Sequence, residues 1–308
     1  MEPVQAARYR GDMTRTATAV GDHLRDWRQR RRMSQLDLAL EAEISTRHLS
    51  FVETGRAQPS RDMLLRLADQ LEIPLRARNV ILVAAGFAPV FPQRSLDDPA
   101  LASARRAVNL ILTGHEPFPA MAVDRQWNMI SANRMVAPLL AGIDADLLVP
   151  PLNVIKLSLH PRGLARRTAN MHEWRSHILE RLRREVELTA DPGLADLTTE
   201  VRAYPILGGQ PTRRPSDDFA GVAIPFQLKT EGGGVRSFLS TTTVFGTPVD
   251  VTLSELTLET FFPADAATAE ALRAMAAGWK ASSSCGAWWP RRRYRRWPRR
   301  RARPWRRR

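Results

Sequence analysis

Residues 45–56 read STRHLSFVETGR. At helical spacing Leu49 and Val52 point one way and can dock the segment, while Arg47, Ser50, Phe51 and Thr54 share another face. A face that merely met water would carry Glu, Lys and Ala. This one offers a planar cation, a hydroxyl and an aromatic ring together, which suits the donors, acceptors and thymine methyls of a DNA major groove. Ser45 and Thr46, at the helix start, suit phosphate or base edges, helped by the positive end of the helix dipole. Gly55 stops the helix.

The preceding residues give that face a context. Ser34-Gln35-Leu36-Asp37 can cap a helix reciprocally, and a helix from Gln35 to about Ala42, a tight turn at Glu43-Ile44 and a second helix from Ser45 have helix-turn-helix spacing. Around this pair, residues 20–86 show five amphipathic segments without strand-like alternation. The first carries Val20, Leu24 and Trp27. The fourth has Ser60 as N-cap and buries Met63, Leu64, Leu67 and Leu71. The fifth opens at Pro74 and closes at Gly86.

SQLDLA (34–39), LSFVETGR (49–56) and PS (59–60) resemble the Xre, or lambda-repressor-like, DNA-binding family in order and spacing. The resemblance implies an all-α domain of five helices. It also implies that Gln35 contacts phosphate or base, that Thr46, Arg47 and Phe51 read bases, and that Arg56 touches the DNA backbone. Arg28 and Glu53 correspond to an ion pair inside the domain. Phe51 has a second reading, packing within the domain or at a dimer contact. His48 reads as a phosphate contact or plain surface, and Arg30, Arg31 and Arg32 as a solvated helix end or a phosphate-facing one. Glu43 stands where the family usually has glycine in a left-handed turn, a departure that costs about 1 kcal/mol.

The chain has 308 residues, 44% of them hydrophobic, enough for two domains with buried cores. Its formal charge of +14 is unevenly placed: residues 291–308 hold 12 Arg and no acid, leaving 34 basic against 32 acidic residues elsewhere. The overall basicity therefore says nothing about DNA binding by the folded part. Cys285, the single cysteine, excludes an internal disulfide or a thiolate metal cluster and fits a reducing compartment. Without an apolar run long enough to span a bilayer, or the apolar core of a signal peptide, the expected location is the cytoplasm, without membrane partners.

Residues 1–19 read as a disordered arm and 87–98 (FAPVFPQRSLDD) as a linker, before a second domain over 99–277. In that domain Asp98-Pro99 opens a helix to Gly114. Apolar runs flanking Asp124–Gln126 suggest a hairpin, with a helix from about Asn133. Residues 168–190 form a long helix, and Asp191-Pro192 opens another ending near Tyr204. GVAIPFQLKT, VRSFLSTTTVFG and LTLETFFP read as strands, and 264–277 as a final helix, giving an α+β domain. Both faces of the 238–245 strand carry apolar positions, as if helices covered one and a cavity or partner the other.

AVDRQWNMISANRM, NVIKLSLHPRGL, VRAYP and FGTPVDVTLSELTLETFFPAD resemble the MmyB-like ligand-binding domain of transcription regulators over about residues 105–276. That implies a PAS-like fold binding a small apolar molecule such as a fatty acid. Phe226, Phe238, Thr242 and Trp174 are candidates for the pocket, with Asn133, Arg134 and His160 as polar anchors; each of these has the competing reading of an ordinary core or surface residue. Enzyme signals fail. His172 and His177 in HEWRSH lie about 140° apart around a helix, unlike a zinc-protease pair, and Gly232–Gly234 joins two strands and so makes a hairpin turn. Residues 278–308 read as a disordered tail, either a phosphate-binding arm or, favoured, the out-of-frame end of a GC-rich gene. The expectation is a dimeric regulator that binds a palindromic operator and answers to an apolar effector. A second domain serving only dimerisation, or one holding haem through a histidine, are the competing readings.

Overall fold

The structure, a computed structural model, describes residues 20–206, 224–246 and 248–280. The expected N-terminal arm, the arginine-rich stretch after Lys280 and the start of the strand read from Gly221 lie outside the described residues.

Five helices form the first part: α1 (20–30), α2 (Gln35–Glu41), α3 (Thr46–Glu53), α4 (Arg61–Gln70) and α5 (Leu75–Ala84). Three begin on serine caps. Ser34 and Asp37 make the reciprocal box, Ser45 Oγ accepts from His48 N at 3.1 Å, and Ser60 Oγ accepts from Met63 N at 3.2 Å. α5 begins one residue later than the sequence suggested, with Pro74 in extended geometry before it. Glu43 takes the left-handed conformation expected of its turn, with φ of 53°, and Gly55 closes α3 with φ of 72°. Leu24, Trp27, Leu38, Leu49, Val52, Leu64, Leu67 and Leu71 share one buried core.

α1 and α3 approach so closely that a Cβ on Gly21 would lie 2.5 Å from the carbonyl oxygen of Glu53. Gly21→Ala must therefore push the helices apart. We expect a loss of about 1–3 kcal/mol, typical of overpacking, read as a lower urea midpoint for the helical part.

The second part is built on a five-stranded antiparallel sheet in the order β2-β1-β5-β4-β3. The strands are β1 (Ala120–Val123), β2 (Met129–Ala132), β3 (Phe226–Lys229), β4 (Val235–Val244) and β5 (Thr257–Pro263). The early hairpin β1–β2 joins the late strands because β1 pairs with β5, Met121 opposite Glu259. Alternation along β1 and β5 divides their side chains. Ala120, Ala122 and Leu258 meet Val108 and Leu112 of α6 (Ala102–Gly114), whereas Val123 and Phe261 face the larger core. That core is closed by α7 (Val154–Leu159), α8 (Met171–Thr189), α9 (Pro192–Arg202) and α11 (Ala266–Lys280). Several boundaries differ from expectation. Residues 134–140, with Pro138 inside, wind as a 3-10 turn and not an α-helix. The helix expected from 168 begins at Met171, the one expected from 264 begins at Ala266, and α11 runs three residues past Ala277, through Gly278, which a helix tolerates at a cost of about 1 kcal/mol.

The stretch read as a linker is strapped to both parts. Asn79 of α5 brackets it, donating to Phe91 O at 2.7 Å and accepting from Val90 N and Phe91 N. Further along, Pro92 O accepts from Val251 N, and Arg94 pairs with the buried Asp250 beside α10 (Val251–Ser254). Arg76 of α5 grips Glu255 through two 2.7 Å bonds.

Candidate functional site

The helix-turn-helix face is α2, its turn and α3. Glu53, on the last turn of α3, has no exposed side-chain surface. Arg28 Nε and Nη2 donate to its two oxygens at 2.7 and 2.9 Å, the pairing the resemblance implied, and Gln35 Nε2 donates to Oε2 at 2.8 Å. Arg25 adds its charge at 3.8 Å. Burial on its own would raise the Glu53 pKa, but the bonds from Arg28 and Gln35 and the charges of Arg28 and Arg25 outweigh it, and the carboxyl sits below its ordinary range. These bonds fix α3 against α1 and α2.

On the outer face Arg47 and His48 are exposed, and Phe51 is half-buried with the Arg47 guanidinium 5.3 Å and that of Arg56 6.0 Å from its ring centroid. The ring is thus flanked by two cations and stays at the surface, away from the bundle core. Thr46 and Ser50 are half-buried beside them. Two candidates have their side chains engaged inside the protein: Ser45 Oγ caps the helix, and the Gln35 amide is held on Glu53. Of the three arginines at the end of α1, Arg31 is pinned by the carbonyls of Leu71 and Glu72 and lies over Trp27, which makes it structural.

In the second part a cavity with about 720 Å³ of unfilled space, its mouth included, lies between the sheet and helices α7 and α8. It is therefore beneath the helices and not on the opposite face of the sheet. Leu139, Leu152, Ile155, Leu157, Ile178 and Phe261 are among its apolar walls, and Trp174 and Phe226 line it as the sequence suggested. Phe238 does not line it. It is fully buried behind, 6.4 Å ring to ring from Phe226 and from Phe261.

The three proposed polar anchors are used elsewhere. Asn133 brackets the chain between α6 and β1, accepting from Ala120 N and Met135 N while donating to Leu112 O and Phe118 O. Arg134 pairs with Glu116 at 2.8 Å. His160 accepts from Arg162 N and packs its ring edge-on to Tyr204. Among the described residues no histidine lines the cavity, so the reading of haem held through a histidine finds no such ligand in its wall.

The polar end of the cavity is a cluster that the sequence reading missed. Arg181 of α8 donates to both oxygens of Glu259 (2.7 and 3.3 Å), to Thr242 Oγ1 (2.8 Å) and to Glu185 Oε1 (3.2 Å). Thr242, a proposed lining residue, reaches the cavity only through this cluster, donating to Glu259 Oε1 at 2.9 Å. The Trp127 ring lies 4.3 Å from the Arg181 guanidinium and its Nε1 donates to Glu185 Oε2. Burial pushes the Glu185 carboxyl up despite the Trp127 bond and the Arg181 charge, and burial with Arg181 nearby pulls His177 down. Trp127 holds its place with a left-handed φ of 65° at the β1–β2 turn. The available signal was Glu259 in LTLETFF, an acid at an inward position of an apolar strand.

Among the described residues no helix is long and apolar enough to cross a membrane. Residues 104–275 match the family model of the MmyB-like transcription regulator ligand binding domain, and residues 24–77 match a helix-turn-helix model. Among solved structures, the clp gene regulator ClgR from Corynebacterium glutamicum is 22% identical over 33% of this chain and 95% of that one, with a TM-score of 0.21. None of the curated proteins matches the chain.

Proposed function

This chain belongs to the MmyB-like transcription regulators, DNA-binding proteins with a ligand-binding domain, and on that premise we propose that a long aliphatic effector occupies the cavity and alters operator affinity. The observation that carries this reading is the cavity itself: its walls are apolar apart from Ser158, Ser240, Arg181, Glu259 and the indole N–H groups, the composition of a site for a small, largely apolar molecule. A fatty-acyl chain fits that description. The effector acts only if it binds unequally to two states of the protein, since an indifferent ligand shifts nothing.

On the DNA side, α3 enters the major groove, with Arg47, Thr46 and Phe51 facing bases, and His48, Ser50 and Arg56 at the flanks. A homodimer in the cytoplasm reads a palindromic operator with half-sites about 34 Å apart. The test is Arg47→Ala. Binding to the preferred duplex should weaken by about 1–3 kcal/mol while binding to random duplex changes little. Equal losses on both duplexes would show a phosphate contact only.

For the cavity, native mass spectrometry of the purified chain should show a bound aliphatic molecule, and Leu140→Trp, which fills the wall, should abolish it. A chain that carries nothing and whose DNA affinity no aliphatic molecule changes would return the second domain to dimerisation alone.

A further inference from the structure

The resemblance points to fatty acids, but the cavity's polar end is built against a free carboxylate. Among the described residues Arg181 is the only basic side chain in the lining. Both oxygens of Glu259, a side chain 5% exposed, already hold it, and Glu185 takes its Nε–H. Its flat face is covered by Trp127. The cluster thus contains one cation and two carboxyl groups. Its formal charge is −1 with Glu185 ionised and zero with Glu185 protonated, so in neither state is there a spare positive charge for an incoming anion. His177, the other basic group facing the cluster, stacks on Trp174 and is held toward its neutral form. A buried carboxylate needs a matched cation or several N–H donors. Here it would have to displace Glu259.

One polar group of the wall is uncommitted. Ser240, on β4 opposite Phe261 of β5, lines the cavity, and its hydroxyl has no partner among the described residues. By contrast Ser158, the other hydroxyl of the lining, accepts from Trp174 Nε1 at 2.8 Å. A hydroxyl can both donate and accept, so Ser240 suits a neutral group that does the same.

We infer that the effector is an aliphatic amphiphile with an uncharged hydrogen-bonding end, an alcohol or amide set against Ser240, and that the Arg181–Glu259 pair excludes free long-chain carboxylates. This rests on the cavity being the effector site. Calorimetric titration of the full chain with dodecan-1-ol and with dodecanoic acid, both below their aggregation limits at neutral pH, separates the possibilities. The alcohol should bind roughly tenfold or more tightly than the acid. An acid that binds as well or better would overturn the inference and leave the cavity reading intact; absence of binding by either would bring down both.

Two variants sharpen the result. Glu259→Gln frees the Arg181 charge and should raise affinity for the acid by roughly tenfold; an unchanged acid affinity in the folded variant would count against the exclusion. Ser240→Ala, a small change on a half-buried strand position that leaves the ion pair in place, should weaken the alcohol by roughly tenfold and leave the acid where it was. An alcohol affinity that ignores this substitution would overturn the contact even if Glu259→Gln failed to fold.

Discussion

Glu53→Ala should cost the helical part of this regulator about 3–5 kcal/mol, because it leaves the buried Arg28 guanidinium without the carboxylate that holds it, and breaking a buried pair from one side costs that much through the uncompensated partner. That is a large share of the 5–15 kcal/mol that ordinarily holds a domain folded. Arg25, more open to solvent, keeps Asp22 and the main-chain oxygen of residue 53. The measurement is urea unfolding followed by circular dichroism, where the helical part should melt early and the sheet-containing part should keep its midpoint.

The same residue sets an acid limit. The folded-state pKa of Glu53 is lowered, so its contribution is fully present above the ordinary carboxylate range and disappears as pH falls through that range toward the lowered value. Glu53→Gln should remove this part of the acid sensitivity as well as much of the stability at neutral pH. If the variant unfolded in acid as steeply as the parent, other carboxyls would be responsible.

Arg181→Ala should be comparably severe in the other part, at about 3–5 kcal/mol. Glu259 would retain only the Thr242 hydroxyl, and Trp127 would lose the cation over its ring. Because burial and not bonding is the difficulty, the pair Arg181→Met with Glu259→Leu should restore most of the loss, since an apolar replacement of a buried ion pair is often neutral or better. A double-mutant cycle on thermal unfolding measures this. Strict additivity of the two changes would mean that the groups do not act as a pair.

The parts that were legible in the sequence are the ones whose causes are local. Ser34, Ser45 and Ser60 each cap the helix that follows within three residues, and the apolar stripes repeat within single helices, so α1 to α5 and the helix-turn-helix spacing could be read directly. The hairpin around Asp124 and the strands after Pro225 were legible for the same reason. What the sequence hid was convergence from a distance. Arg181 and Glu259 are 78 positions apart, and nothing near either names the other.

Asn133 misled for a related reason. A polar residue amid apolar ones suggested a ligand anchor, yet its amide satisfies four backbone groups brought together by folding. Phe238, on a strand, and Trp174, on a covering helix, looked equivalent as bulky apolar residues facing one pocket. Only the packing separates them, with Trp174 at the wall and Phe238 a layer deeper.

Trp127 sits in a backbone conformation where glycine is most at ease, and β1–β2 would fold more comfortably with one there. The same change would strip the chamber of its indole roof and expose the Arg181 guanidinium beneath it. Comfort of the turn and integrity of the chamber therefore pull in opposite directions at a single position, and the chamber prevails: truncating a buried indole costs about 3–5 kcal/mol, against about 1–2 kcal/mol for the left-handed backbone, so thermal robustness and an intact chamber select the same residue.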